Sequence, residues 1–99
     1  MKAETFIKKY VKDGKILPNS VNVIEGDLSL SYNNLTDLSG LSNLTEVKGT
    51  LSLDYNNLTD LSGLSNLTNV EGDLSLSYNN LTDISGLSNL TNIDLLVYY

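Results

Sequence analysis

An internal repeat constrains this chain more than any other feature. The eighteen residues 28–45, Leu-Ser-Leu-Ser-Tyr-Asn-Asn-Leu-Thr-Asp-Leu-Ser-Gly-Leu-Ser-Asn-Leu-Thr, return at Leu51 and again at Leu74. The second copy changes only Ser31 to Asp54, and the third only Leu38 to Ile84. The period is 23 residues, giving units 24–46, 47–69 and 70–92 and a partial unit 93–99. A fixed period of this size is the mark of a repeat architecture, in which one short unit cannot bury its own apolar face and stacking does it instead.

Within a unit, Gly26-Asp27-Leu28-Ser29-Leu30-Ser31 alternates apolar and polar, as a half-buried strand does. Leu35, Leu38, Leu41 and Leu44 follow at steps of three, which suits a tight 3₁₀-like return with every third side chain inward. One strand and one return per unit predict a right-handed solenoid of α/β class with a parallel sheet, one strand per repeat. Ahead of it, Phe6, Ile7, Tyr10 and Val11 form one helical stripe. Residues 1–15 are therefore read as an amphipathic capping helix stopped at Asp13-Gly14, and residues 16–99 as the repeat array.

These residues resemble a known family. Leu28-x-Leu30-x-x-Asn33-x-Leu35 matches the core of the leucine-rich repeat, and its length lies in that family's range of about 20–29 residues. The wider pattern is similar to the repeats of receptor L domains and their bacterial relatives. The segment Lys9-Tyr10-Val11-Lys12-Asp13-Gly14-Lys15-Ile16-Leu17-Pro18 resembles the opening of small repeat proteins encoded by phages and prophages. The resemblance implies a solenoid that binds another protein. Two positions depart from the pattern: Glu25 stands where an apolar residue is expected, beside Ile24, and no distinct carboxyl-terminal cap follows the last unit.

Composition bears on chemistry mainly through what it lacks. The chain has no Cys and no His, so the usual general base, the commonest metal ligands and any thiol nucleophile are missing. We expect no catalytic residues, no cofactor and no metal site. Asp37, Asp60 and Asp83, each two residues before a Ser, read as caps of the return segment. A calcium ladder on them would need converging oxygen ligands and a glycine-rich motif that the repeat does not contain. Asn33, Asn56 and Asn79 are read as buried amides serving the backbone where each strand turns. Asn-Leu-Thr, found six times, reads as a by-product of the repeat and not as a glycan acceptor.

The net charge of −6 is unevenly spread. Residues 1–15 carry five lysines against Glu4 and Asp13, a balance of +3, whereas residues 16–99 carry ten acids against Lys48, a balance of −9. Such a body disfavours direct nucleic-acid binding and favours a basic protein partner or plain solubility. Charges interrupt the apolar positions near Met1, and no span of about 20 apolar residues exists, so neither a signal peptide nor a membrane segment is expected. The corresponding expectation is a cytoplasmic protein, of a bacterium or an infected host cell.

Candidate partner-binding residues lie on the strand face. The ladders Asp27/Thr50/Asp73, Ser29/Ser52/Ser75 and Ser31/Asp54/Ser77 are expected to face solvent, with Tyr32, Tyr55 and Tyr78 forming a fourth at the strand's end. The tyrosines serve either contact with a partner or the stacking of adjacent units. Three functions follow: a non-catalytic protein-binding module, a phage-type inhibitor of a host defence protein or nuclease acting through its acidic surface, or a purely structural array. At the far end, Leu95, Leu96, Val97, Tyr98 and Tyr99 make an apolar, β-prone rung, expected to be covered by a second copy in a two-fold dimer or by a partner's added strand.

Overall fold

The computed structural model describes residues 1–98. Its elements are one helix, α1 (Ala3–Tyr10), a short hairpin, β1 (Val11–Lys12) and β2 (Lys15–Ile16), and then two strands per unit. These are β3 (Val23–Glu25) and β4 (Leu28–Ser29), β5 (Glu46–Lys48) and β6 (Leu51–Ser52), β7 (Asn69–Val70) and β8 (Leu74–Ser75), with β9 (Leu96–Val97) last. A 3₁₀ turn lies in each return, at Ser39–Leu41, Ser62–Leu64 and Ser85–Leu87, as the three-residue leucine spacing requires.

The strands form two parallel sheets, ordered β3-β5-β7 and β4-β6-β8-β9. Leu28 pairs with Leu51 and Leu51 with Leu74, so identical positions stack unit upon unit. The expectation of one strand per repeat is corrected here. Each unit bends between its two strands, at Gly26-Asp27 in the first, where Gly26 adopts φ +99°, a backbone state open chiefly to glycine. Glu25, the departure from the pattern, ends β3 with Ile24 fully buried beside it; the entry strand is a separate element.

The core is a column of inward side chains: Ile24, Leu28, Leu30 and Leu35 in the first unit, and Val47, Leu51, Leu53, Leu58, Leu61, Leu64 and Leu67 above them, all 0% exposed. At roughly 2 kcal/mol per buried Leu, this stacking is the main driving force for the fold. Helix α1 closes one end with Phe6 and Ala3 buried and Tyr10 packed on Phe6 at 5.3 Å. The Met1 ammonium donates to the Val23 carbonyl at 2.9 Å, and Lys2 bridges to Glu25 in parallel, adding a rung to the β3 sheet. The helix ends at Tyr10, before Asp13-Gly14, which is corrected from a helix stop to a hairpin turn. Both residues have positive φ (45° and 83°), the geometry that Asp-Gly supplies between antiparallel strands.

The opposite end is open. Ile84, Leu96 and Tyr98 are 44%, 42% and 45% exposed, although their counterparts one unit earlier are fully buried. Register is also corrected there. Leu74 pairs with Leu96 and Ser75 with Val97, a 22-residue step, although Asn69 still pairs with Asn92 at 23. The last partial unit is one residue shorter, which puts Leu96, and not Val97, on top of the leucine column.

Candidate functional site

The outward face of β4, β6 and β8 leads into a turn where Tyr32, Tyr55 and Tyr78 each take the left-handed conformation, at φ 60°, 58° and 60°. Bulky residues rarely adopt it, at a cost of about 1–2 kcal/mol each. The amides are held by the next rung: Tyr32 N–H donates to the Asp54 carbonyl at 3.2 Å and Tyr55 N–H to that of Ser77 at 2.9 Å. The rings then stack, with centroids 4.4 Å apart in both pairs and planes within 10° and 9°. They remain 71%, 42% and 57% exposed. The Tyr55 hydroxyl is held above its ordinary pKa, first by loss of water around it and then by its contact with the Tyr32 hydroxyl.

The turns are built chiefly on the asparagines of the second and third units, so the expectation of three equivalent buried amides is corrected. Asn56, buried, accepts from the amides of Asn33 (3.1 Å) and Leu35 (3.0 Å) and donates to the carbonyls of Leu30 (3.0 Å) and Leu53 (2.9 Å). Asn79 repeats the pattern one unit on, accepting from Leu58 N–H at 3.1 Å. Asn33, in the first unit, donates to the Ser31 carbonyl and is only partly buried. The tyrosines are thus presented by a buried hydrogen-bond network beneath them.

The polar ladders beside the tyrosines are less free than the alternation implies. Asp27 Oδ1 accepts Thr50 N–H at 2.8 Å, and Thr50 Oγ1 accepts Asp73 N–H at 3.3 Å. Ser31 and Ser52 hydroxyls bond each other at 2.9 Å. Asp54 Oδ1 accepts from Ser75 Oγ at 2.6 Å and from Ser77 N–H at 2.7 Å. Ser77, expected at the surface, is buried, drawn against the preceding rung by that bond, and its Oγ has no partner among the described residues. Ser29 is exposed, while Ser52 and Ser75 are half-buried. The strand face therefore offers a continuous aromatic ridge flanked by carboxylates, and fewer unengaged hydroxyls than its sequence suggests.

The aspartates of the return behave as caps. Ser39 N–H and Oγ donate to Asp37 Oδ1 at 3.0 and 2.8 Å, with the same pair of bonds at Asp60 and the amide bond at Asp83. Asp37 and Asp83 are held below the usual carboxylate pKa, first by the serine amide and then by its hydroxyl. A shallow groove of about 430 Å³ lies between Asp60 and Asp83, lined also by Ser62, Ser65 and Ser85. Among the described residues, no three carboxylates converge as metal ligands do.

The predicted self-association residues are partly united. Leu95 (56% exposed), Leu96 and Tyr98 project at the open end, Val97 is half-buried, and Tyr99 lies outside the described residues. Tyr98 Oη donates to the Leu81 carbonyl at 3.3 Å, tying the final rung to the last return. Sequence reading missed the half-exposed residues Leu81, Ile84, Leu87 and Leu90, which continue this apolar end through the whole last unit. The signal is their match to buried residues one period earlier, Leu58, Leu61, Leu64 and Leu67, with Ile84 the one changed residue.

No helix among the described residues is long and apolar enough to cross a membrane. No curated protein and no solved structure matches the chain. The family model of the receptor L domain matches residues 21–95, covering strands β3 to β8, all three returns and the tyrosine ridge. With three quarters of its length matched, the chain belongs to the receptor L domain family.

Proposed function

We propose that this chain is a non-catalytic protein-binding module, a right-handed leucine-rich-repeat solenoid that meets its partner with the strand face centred on Tyr55. The observation that carries this reading is the exposed tyrosine ridge. Three bulky side chains occupy a backbone state that favours glycine or asparagine, and they do so at the same position of every unit. Exposed stacked rings offer large contact area at low entropic cost. Family membership supports a binding role, and a chain without His or Cys has little means to activate a hydroxyl for catalysis. The −9 balance of residues 16–99 favours a basic protein surface over nucleic acid.

Tyr55→Ala should weaken partner binding by roughly 2 kcal/mol or more, since hot spots are central and often Tyr. Titration calorimetry against a partner purified on the unsubstituted protein checks this, with circular dichroism to show that the fold survives. Unchanged affinity would move the site off the ridge. The acidic body favours a second reading, a phage-type inhibitor of a host defence protein or nuclease. It predicts affinity falling steeply with salt, and salt-independent binding removes it. Recovery of no partner leaves the purely structural array.

The strand face alone is narrow, about 10 Å across three rungs, so the open end contributes area or pairs separately. We propose a two-fold dimer through Leu95, Leu96, Val97 and Tyr98. Light scattering should give a dimer mass that Leu96→Asp combined with Tyr98→Asp returns to a soluble monomer. A monomer mass for the unsubstituted chain at high concentration contradicts this.

A further inference from the structure

The structure assigns Tyr32, Tyr55 and Tyr78 as an oxidative cross-linking site, at which one-electron oxidation joins Tyr55 to a neighbouring ring as dityrosine and staples two consecutive units covalently. Four observations carry this. The rings are cofacial, with 4.4 Å between centroids and planes within 10°. All three are open to a diffusing oxidant. Backbone bonds between the rungs hold the pairs in register, so coupling is intramolecular and favoured by proximity. Finally, the chain has no Cys and no Trp, and Met is its only sulfur-containing residue, at position 1, so few side chains compete with phenols for an oxidant.

The oxidant is hydrogen peroxide used by a haem peroxidase, or another one-electron acceptor of that class. Two phenols each give up one electron and one proton to become phenoxyl radicals. The radicals combine through their ortho carbons, forming one carbon–carbon bond, and each ring then regains its aromaticity by moving its ortho hydrogen to oxygen. The two electrons and two protons reduce one peroxide to two waters. Tyr55 is the required member, because it alone stacks on both others, and Tyr32 and Tyr78 stand two stack spacings apart.

The full chain, dilute enough to suppress intermolecular coupling, is treated with horseradish peroxidase and hydrogen peroxide. The expected product is a monomer on a denaturing gel, lighter by two hydrogen atoms, with the blue emission of dityrosine. Peptide mapping should place the bond between Tyr55 and either Tyr32 or Tyr78. Tyr55→Phe keeps the stacking surface and should lower the intramolecular yield about tenfold or more. Tyr32→Phe, which leaves the Tyr55–Tyr78 pair, should retain the product. Circular dichroism confirms that both variants fold. An unchanged yield in Tyr55→Phe, or a bond that maps to Tyr10 or Tyr98, overturns the assignment.

Discussion

Asn56→Ala is expected to bring the protein close to unfolding, with a loss of roughly 4 kcal/mol, because a methyl group leaves buried backbone groups of two units without partners. Asn56 Oδ1 serves the amides of Asn33 and Leu35, and Nδ2 serves the carbonyls of Leu30, Leu53 and, at 3.3 Å, Asp54. Each buried group left unpaired costs about 1–3 kcal/mol, and a domain of this size has only about 5–15 kcal/mol to lose. The repeat supplies its own controls. Asn79→Ala should cost less, since its oxygen accepts from one amide and the site is only partly buried. Asn33→Ala should cost about 1 kcal/mol or less, with a single bond to the Ser31 carbonyl at stake. Urea denaturation of the three variants tests the order. Equal losses would mean that the amides are not the struts of the turn.

Gly63→Ala is expected to cost about 3 kcal/mol or more, through crowding instead of lost bonds. The returns stack so closely that a Cβ at Gly63 would overlap the Leu38 carbonyl, a backbone group with no rotamer to give way. Units lie on both sides of it, so relief requires parting the column. A Cβ at Gly86 would meet the Leu61 carbonyl in the same way. Gly86 lies in the last unit, however, which can shift outward, so Gly86→Ala should cost about half as much. Gly26→Ala isolates the other role of glycine: there is open space around it, but φ is +99°, and about 1–2 kcal/mol of backbone strain is the expected cost. Melting temperatures should rank Gly63→Ala lowest. A Gly63→Ala protein as stable as Gly26→Ala would show that the returns are looser than described.

How much of this was legible in the residues depends on whether one unit or its neighbours decided the outcome. The period of 23 dictated which side chains stack, and Leu28, Leu51 and Leu74 align as the repeat requires. The returns and the capping aspartates were readable for the same reason, as local patterns that recur in each unit. The asparagines, all read as buried, proved unequal: Asn56 is buried, Asn33 and Asn79 only partly so. The bend at Gly26 was harder to see. An alternating stretch reads as one strand, and only the closeness of stacked backbones at Gly49 and Gly72 shows why glycine recurs there. Asp13-Gly14 fits both a helix end and a hairpin turn, and the pairing of Val11 with Ile16 chose the turn.

The end of the chain was the least legible part. Ile93-Asp-Leu-Leu-Val can be laid on the preceding unit in two frames, and the 22-residue step wins by setting Leu96 on the leucine column. The strand face was only partly readable, since alternation tells which way a side chain points but not what it bonds to. Asp54 shows this: it replaces a serine in one unit only, and its oxygen draws Ser75 Oγ and Ser77 N–H into the stack.

The claim that the tyrosine ridge is the contact surface is tested most directly by watching its rings as partner is added. Tyrosine ring-labelled protein, followed by NMR during titration with the purified partner, separates the ridge from Tyr10 at the capping helix and Tyr98 at the open end. Large, saturating shifts are expected at Tyr32, Tyr55 and Tyr78, greatest at Tyr55, with Tyr10 unmoved. Saturation with the ridge signals unmoved, and shifts confined to Tyr98 or to the capping helix, would contradict this.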